Sequence, residues 1–509
     1  MTIDPHEDWT EAERWAWKQI QAGAVADFNG KLGEVADPAK PEDWDERRTL
    51  RRRFLEAIIE PPWREHVHRK GIGIMGGLLP KEDELSLDWH RADMPWDVWL
   101  ERSRVTGPIE MSYAKLGGIL SLDGSRFEAA LNLERLEVGQ DLFLGDKAHF
   151  GGDVTLTGAK VGGQLVAAGS RFEATVDMQG LEVEQDLFLS EKAHFSGDVT
   201  LRSAELGGML SLDGSRFEAQ VIMERLKVRQ DLFLSNEAYF GGDVTLRSAK
   251  VGGHLSAIGS RFEAEVEMQG LEVGQNLFLR DKAHFGGPID LVHAKIGGGL
   301  QLCGSTWLAL VDMTGAEVIG ELHLASSDWP VPRWGERAGL ILCNARLGAL
   351  QDAHGDGMDA WPKTLDLSGC RIEILGGYRG DDDASDVLAR PASYWVDWLA
   401  RGTKERFSPQ PYQMIARLLQ EAGYPAKANS VLYAARKRER DAPRGALHRI
   451  WLWVLWATIG FGIGRYLRPR RAVGLWGWRW LGPLSSISRP RRRCQRIIRS
   501  GSSRRAWIG

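Results

Sequence analysis

The chain has 509 residues, a formal net charge of −4 and only four cysteines. The cysteines are far apart and form no CxxC, which argues against a disulfide framework and a zinc site and favours a reducing compartment. The first residues, MTIDPHEDWTEAERWAW, have neither a basic n-region nor an apolar h-region, so we expect no signal peptide.

Two helices are predicted in the N-terminal region, residues 1–65. Thr10 and Glu13 have the spacing of a capping box, which predicts a helix over 10–21. A second helix is predicted over 44–59, before Pro61 and Pro62 end the run. We expect these helices to cover the first coil of the array that follows, because an open end would expose unpaired strand edges.

The segment from Gly71 to Gly76 contains a literal GxGxxG, GIGIMG. A dinucleotide fingerprint needs a preceding strand and a helix that starts at the third glycine. Here Gly77-Leu-Leu-Pro80 follows and no βαβ pattern surrounds it. We therefore interpret the segment as part of the first coil and expect no bound dinucleotide.

A 45-residue period dominates residues 105–328, where Asp141-Leu-Phe-Leu is repeated at 186 and 231, and as Asn276-Leu-Phe-Leu. Each block divides into three units of eleven residues and one of twelve, with apolar residues at alternate positions and frequent Gly-Gly pairs. Alternation over a few residues predicts short strands with one buried face, and the fixed period predicts stacking of equal units.

The fold class that follows is mainly β: a right-handed parallel β-solenoid over residues 66–378, with two units per coil and helices at both ends. Phrases such as Gly158-Ala-Lys-Val-Gly-Gly resemble degenerate pentapeptide-repeat β-helices, although they depart from the strict Ala-Asp/Asn-Leu consensus. The chain as a whole resembles a bacterial group labelled membrane-associated oxidoreductase, through these repeats, Pro411-Tyr412-Gln-Met-Ile415-Ala416 and a hydrophobic segment from Ile450. That resemblance implies an activity but brings no catalytic motif.

Equivalent positions of a solenoid stack into columns, and one column is a candidate interaction strip. Alternation with inward leucines places its members on the outside, where they are either exposed to a partner or covered by a neighbouring helix or loop. The members are Phe143, Phe188, Phe233 and Phe278. Three further columns are predicted to be exposed to solvent. Those of Arg and Glu are expected to form charge ladders. The histidines of the third column lie two coils apart, which is too far for two of them to bind the same metal ion. The three columns begin at Arg126, Glu128 and His149.

After the array we predict a linker over 379–408 and an αα-hairpin over 409–440. A hydrophobic segment over 441–482 follows, in which residues 450–464 carry no charge. Fifteen residues fall short of the roughly 20 needed to cross a bilayer, so the segment either spans with help from its flanks or lies on the membrane. The alternative is a helix buried in the protein core. The expected membrane anchors are aromatic and basic: Trp451, Trp453, Trp456, Phe461, Arg449 and Arg465.

Charge is distributed unevenly along the chain. Residues 436–509 hold 19 Lys and Arg against 2 Asp and Glu, which leaves 46 basic and 67 acidic residues before them. A basic end on an acidic body suits an anionic membrane surface, with nucleic acid as the alternative partner for the basic end. Residues 483–509 have no periodicity and are expected to be disordered, and the change in character beyond Trp478 suggests a frameshifted or truncated reading frame.

The sequence therefore favours a non-catalytic binding scaffold tethered to the cytoplasmic side of a bacterial inner membrane. Its expected partners are membrane lipid and a protein, with no direct nucleic-acid binding, no small-molecule substrate, no cofactor and no metal. One alternative is the oxidoreductase that the resemblance implies. A second is an acidic rod that binds a DNA-processing enzyme, although residues 105–328 hold 18 basic and 32 acidic residues, so the charge is mixed.

Overall fold

The computed structural model describes residues 3–326, 328–352, 360–376, 387–402, 407–441 and 446–459, with Phe461 and Ile463. In the helix that begins at residue 446, the side chains of 446–449 and 457–459 lie outside this description. The described residues belong to one compact unit, residues 1–464.

A parallel β-solenoid occupies the chain from Ile72 to Leu375, as the repeat predicts. Each coil contains four short strands, so the coil is four-sided, and we number its faces 1 to 4 in chain order. Each eleven- or twelve-residue unit supplies two faces, and strands on the same face pair in parallel with partners 22 or 23 residues away.

The strands of face 1 are Ile72–Met75, Val98–Glu101, Leu120–Ser121, Leu142–Phe143, Leu165–Val166, Leu187–Phe188, Leu210–Ser211, Leu232–Phe233, Leu255–Ser256, Leu277–Phe278 and Leu300–Gln301. Those of face 2 are Leu78–Leu79, Arg104–Val105, Arg126–Phe127, His149–Phe150, Arg171–Phe172, His194–Phe195, Arg216–Phe217, Tyr239–Phe240, Arg261–Phe262, His284–Phe285, Thr306–Trp307 and Arg333–Trp334.

The strands of face 3 are Leu87–Asp88, Ile109–Glu110, Leu131–Asn132, Val154–Thr155, Val176–Asp177, Val199–Thr200, Val221–Ile222, Val244–Thr245, Val266–Glu267, Ile289–Asp290, Leu310–Asp312, Gly339–Ile341 and Thr364–Asp366. Those of face 4 are Asp93–Met94, Lys115–Leu116, Glu137–Val138, Lys160–Val161, Glu182–Val183, Glu205–Leu206, Lys227–Val228, Lys250–Val251, Glu272–Val273 and Lys295–Ile296. Three longer strands, Glu317–Ala325, Arg346–Asp352 and Arg371–Leu375, continue the sheet of faces 4 and 1 at the C-terminal end.

A ladder of buried aromatic rings fills the interior behind face 2. Consecutive ring centroids lie 4.4–5.1 Å apart and the ring planes are within 12° of parallel, so the rings repeat at the spacing of the coils. The ladder consists of Phe127, Phe150, Phe172, Phe195, Phe217, Phe240, Phe262, Phe285 and Trp307. Leucine, valine and methionine side chains of the other faces complete a continuous core.

The 45-residue period arises because coils of two kinds alternate. In the longer coil the corner between faces 1 and 2 has one extra residue, so two consecutive residues, Asp146 and Lys147, have positive φ (47° and 65°). One coil later the same corner is turned by Gly169 alone, with φ 71°. The Ser170 hydroxyl donates to the Leu144 carbonyl at 2.7 Å, which satisfies a buried acceptor next to the longer corner.

A second alternation lies at the corner between faces 4 and 1. Asp141 accepts a hydrogen bond from the backbone N–H of Gln164, one coil later, at 2.8 Å. A Cβ on Gly163 would lie 2.1 Å from that carboxylate oxygen, so a coil that carries Asp requires glycine in the next coil. The same pairing joins Asp186 to Gly208 and Asp231 to Gly253, each at 2.1 Å.

The N-terminal helices cover the open end of the solenoid. They are α1 (Glu11–Ala22), α2 (Phe28–Leu32) and α3 (Arg52–Ala57), with 3₁₀ turns at Pro41–Asp43, Glu46–Arg48 and Trp63–His66. The Thr10 capping box is present. Strand Ala26–Asp27 pairs with the first strand of face 1. The cap is therefore consistent with the prediction.

The long helix predicted over 44–59 is wrong. Thr49 forms a parallel bridge with Leu78, and the Leu50 N–H donates to the Leu78 carbonyl at 2.8 Å. This pairing requires an extended backbone, so the predicted helix is divided into a 3₁₀ turn and the short α3. Sheet-edge protection outweighs local helix propensity here.

Helices α4 (Ala392–Ala400), α5 (Gln410–Glu421), α6 (Pro425–Asp441) and α7 (Ala446–Ile459) follow the solenoid, and residues 387–389 before α4 are also helical. Helices α5 and α6 form an antiparallel pair in the region where we predicted a hairpin. Helix α4 lies within the predicted linker over 379–408 and packs on α6. Part of that linker is therefore helical.

Candidate interaction surfaces

The Phe strip on face 1, defined by Phe143, Phe188, Phe233 and Phe278, points outward but is half-buried. Smaller residues occupy the intervening coils at the same position: Ser121, Val166, Ser211 and Ser256. The three serines are at most 8% exposed. Trp99 extends the column toward the N-terminus. No described helix packs extensively on the strands that carry the Phe strip.

Acidic residues flank the Phe strip on both sides. One flanking column carries Asp97, Asp141, Asp186 and Asp231, and the other carries Glu101, Asp123 and Asp213. Between residues 97 and 258, all of which the structure describes, these two columns contain no Lys or Arg. Burial, together with the charges of Glu101 and Asp146, raises the pKa of Asp123. The first cation in either column is Arg280, which lies over the Phe278 ring at 5.2 Å.

The outer surface of face 2 carries a charge ladder. The Arg and His columns that we predicted separately form a single column, in which Arg and His occupy successive coils. Arg171 donates to Glu173 at 2.5 Å, as the sequence predicted for Arg and Glu two residues apart. Arg171 also contacts His194 of the next coil at 3.2 Å. Burial, and then the charge of Arg126, lowers the pKa of His149. His149 and His194 are therefore partly buried between guanidinium groups rather than freely solvated, whereas His284 lies between Arg261 and Thr306.

Face 4 carries a mixed column of Lys and Glu, in which like charges are neighbours at Glu182 and Glu205 and at Lys227 and Lys250. Lys115 pairs with Glu137, Lys160 with Glu182 and Lys250 with Glu272, each at 2.8 Å. All of these side chains are exposed, so solvent screening leaves each pair little net effect on stability. The mixture of positive and negative side chains on faces 2 and 4 gives no support to a rod with a continuous DNA-like field.

A buried polar network joins α4 to the end of the solenoid. Asp352, 2% exposed, accepts from Arg390 at 2.8 Å, from the Tyr394 hydroxyl at 2.9 Å and from the Trp361 indole N–H at 2.6 Å. Burial, and then the charge of Asp352, raises the pKa of Tyr394. A buried charge is tolerated only when it is paired and hydrogen-bonded, and the Asp352 carboxylate meets that condition. Because its partners include Arg390 and Tyr394, the network attaches α4 to the end of the solenoid.

Helix α7 presents large apolar side chains to solvent. Ile450 and Trp451 are each 59% exposed, whereas Leu452 is buried. Trp453, Val454 and Trp456 are also exposed, and we call these five exposed residues the α7 apolar face. Helix α6 orients two of its indoles, because the Arg440 guanidinium lies 4.5 Å from the Trp453 ring and 5.2 Å from the Trp456 ring.

The predicted membrane anchors are only partly visible. Phe461 contacts the Tyr433 ring, with the centroids 5.7 Å apart. The Arg449 side chain and all of Arg465 lie outside the described residues. Among the helices that the structure describes, none is long and apolar enough to cross a membrane.

The remaining sequence motifs have structural roles. Residues 72–75 of the GxGxxG segment form the first strand of face 1, and a Cβ on Gly71 would lie 1.9 Å from the Asp97 carbonyl oxygen. Cys303 and Cys370 are buried and Cys343 is half-buried, and all three are free thiols. Burial raises the pKa of Cys303 to about 11 and that of Cys370 to about 12. No group of three or more potential metal ligands occurs within the described ranges.

Fold and surfaces together define a β-solenoid repeat protein with a helical cap and outward columns of like residues. No protein-family model, curated protein or solved structure matches the chain.

Proposed function

We propose that the protein is a non-catalytic scaffold held at the cytoplasmic face of a bacterial inner membrane by its α7 apolar face. The observation that carries this proposal is the exposure of Ile450, Trp451, Trp453, Val454 and Trp456 on one helix. Exposed apolar patches of this kind are typical of protein or membrane contacts, and tryptophan favours the boundary between lipid headgroups and acyl chains.

Helix length favours a position in the membrane surface rather than across it. Helix α7 has 14 residues, which correspond to about 21 Å, whereas the hydrocarbon core is about 30 Å thick. The basic residues of 436–509 add attraction to anionic lipids, worth about 1 kcal/mol for each Lys or Arg near the surface. The solenoid then remains in water as a rigid surface for a protein partner.

Vesicle flotation of the full-length chain tests the membrane contact. The probes are vesicles of phosphatidylethanolamine with phosphatidylglycerol, and vesicles of phosphatidylcholine alone. We expect the chain to float with the anionic vesicles and to float less with the neutral ones. The double variant Ile450→Ser, Trp451→Ser changes only exposed side chains and is expected to lower vesicle affinity by about tenfold or more, because each side chain contributes about 1.5–3 kcal/mol when buried.

Val35→Ser is the matched control, because Val35 is 80% exposed in the N-terminal cap, far along the chain from α7. This control is expected to float like the parent. If the Ile450/Trp451 variant also floats like the parent, the α7 apolar face is not the contact. If the parent stays in solution with both kinds of vesicle, the membrane proposal fails.

A further inference from the structure

The Phe strip has a repeat that fits one kind of extended ligand. Its aromatic side chains occur in every second coil, so they are spaced by roughly 9.6 Å along the rod. A polyproline II segment repeats every three residues, or about 9.3 Å, so one residue in three would meet one aromatic side chain. An α-helix repeats its contacts every seven residues, about 10.5 Å. Its mismatch with the spacing of the aromatic side chains is about 0.9 Å per repeat, against about 0.3 Å for polyproline II.

Shape also favours a narrow ligand. Face 1 is made of strands of only two residues between corners, in the coils from Leu120 to Phe278. An α-helix is about 10–12 Å in diameter with its side chains and would extend beyond such a face. A polyproline II segment is narrow and has no internal hydrogen bonds. Because it is already extended before binding, it loses little conformational entropy when it binds to an aromatic surface.

Charge sets the second requirement for the ligand. Trp99, Phe143, Phe188 and Phe233 lie between two columns that, from residue 97 to residue 258, contain Asp and Glu but no Lys or Arg, with His254 as the one titratable base. Arg280 beside Phe278 ends this acidic stretch. Arginine is the complementary side chain because its guanidinium pairs with carboxylates and stacks on aromatic faces. The acidic part of the strip spans about 29 Å, which corresponds to about nine residues of polyproline II.

We propose that face 1, from Trp99 to Phe233, binds a proline-rich, arginine-containing segment of a partner protein in the polyproline II conformation. This inference rests on the scaffold part of the proposed function and is independent of the membrane contact. The ligand runs along the rod, with proline or another apolar residue on each aromatic side chain and arginine beside the flanking carboxylates.

The repeat itself supplies variants that preserve the fold. Phe188→Ser and Phe233→Ser introduce the residue found at Ser211 in the same column. Asp141→Asn, Asp186→Asn and Asp231→Asn introduce the residue found at Asn276, which keeps the hydrogen bond to the next coil, at 2.7 Å from the Gly299 N–H. Ile222→Thr on face 3 is the control, because Thr200 and Thr245 are its neighbours in that column.

Fluorescence anisotropy with the full-length chain measures binding of labelled peptides. The first peptide has about 12 residues, with proline at every third position and four arginines. The second replaces its prolines by alanine to give a basic amphipathic helix, and the third replaces its arginines by glutamate. We expect the first to bind at least about tenfold more tightly than the other two, with an affinity that falls as salt rises.

The double Phe→Ser variant is expected to weaken binding of the first peptide by about tenfold or more, because it removes two aromatic contacts. The triple Asp→Asn variant is expected to weaken binding and reduce its salt dependence. The control should bind like the parent. Tighter binding of the helical peptide, or equal binding by the Phe→Ser variant, would overturn the proposal.

Vesicle flotation of the same variants separates the two proposals. The Phe→Ser variant should float like the parent, and the Ile450/Trp451 variant should bind the peptide like the parent. Peptide binding without flotation would reject only the membrane contact, and flotation without peptide binding would reject only the inference about face 1.

Discussion

Replacement of Gly163 by alanine tests whether an Asp in one coil requires a glycine in the next. The new Cβ would lie 2.1 Å from Asp141 Oδ1, so the carboxylate must move by about 1 Å or more to reach ordinary van der Waals contact. That displacement breaks the hydrogen bond from the Gln164 N–H to Asp141, now 2.8 Å. Loss of a hydrogen bond to a charged acceptor costs about 1.5–3 kcal/mol.

Native-state hydrogen exchange at the Gln164 amide measures this cost locally, which suits a solenoid that need not unfold in two states. Exchange should accelerate by roughly 10- to 150-fold. Asp141→Ala should accelerate it comparably, because it removes the same bond. The double variant should cost less than the sum of the two, since the bond can be lost only once.

Gly180→Ser provides the control, because nothing lies within 4 Å of its new Cβ and Ser203 holds the equivalent corner with φ 56°. Exchange in this control should stay near that of the parent. Additive costs in the double variant would mean that the new methyl clashes with the backbone of Gln140, 3.0 Å away, rather than with the carboxylate. The reasoning that links Asp and Gly-Gly would then be wrong.

Two further predictions concern face 2 and the aromatic columns. The pKa of His149 is lowered in the folded protein, so the unfolded chain binds the proton first as pH falls. The free energy of unfolding should therefore decrease as pH drops below about 6.5. His149→Tyr, which introduces the residue found at Tyr239, should reduce this decrease when urea unfolding at pH 7 is compared with urea unfolding at pH 5. A steeper loss in the variant would contradict this assignment. Phe195→Ala removes a ring from the buried ladder and should cost about 3–5 kcal/mol, whereas Phe188→Ser on the outside should cost less than about 1 kcal/mol in the same assay. Equal costs would mean that Phe195 does not point into the core or that Phe188 does not point outward.

The period and the alternation of apolar residues were enough to predict the solenoid, the two-unit coil and the inward leucines. Each of these depends on residues close in sequence, such as Val154 and Leu156, or on exact repetition. The combined Arg and His column was missed because Arg126 and His149 become neighbours only through pairing 23 residues apart. The pattern could have revealed it, since the coil length fixes that register.

Other differences arise where tertiary contacts decide local structure. Thr49 and Leu50 are extended because they cover the edge at Leu78, which no local propensity indicates. Helix α4 was missed because it lies between loop-like segments, although Tyr394, Trp395, Trp398 and Leu399 have helical spacing and all are buried. The degree of exposure of the Phe strip could not be derived either, because it depends on what packs over each coil.

The alternation of 22- and 23-residue coils restricts how such a rod can change length. Insertion or loss of a single coil would place two Asp-bearing coils, or two Gly-Gly coils, next to each other, and it would shift every later Phe on face 1 by one step. A duplication of 45 residues preserves every corner and lengthens the rod by about 10 Å. Growth of the protein by gene duplication is therefore confined to two-coil steps, and each step adds one more aromatic side chain to the Phe strip.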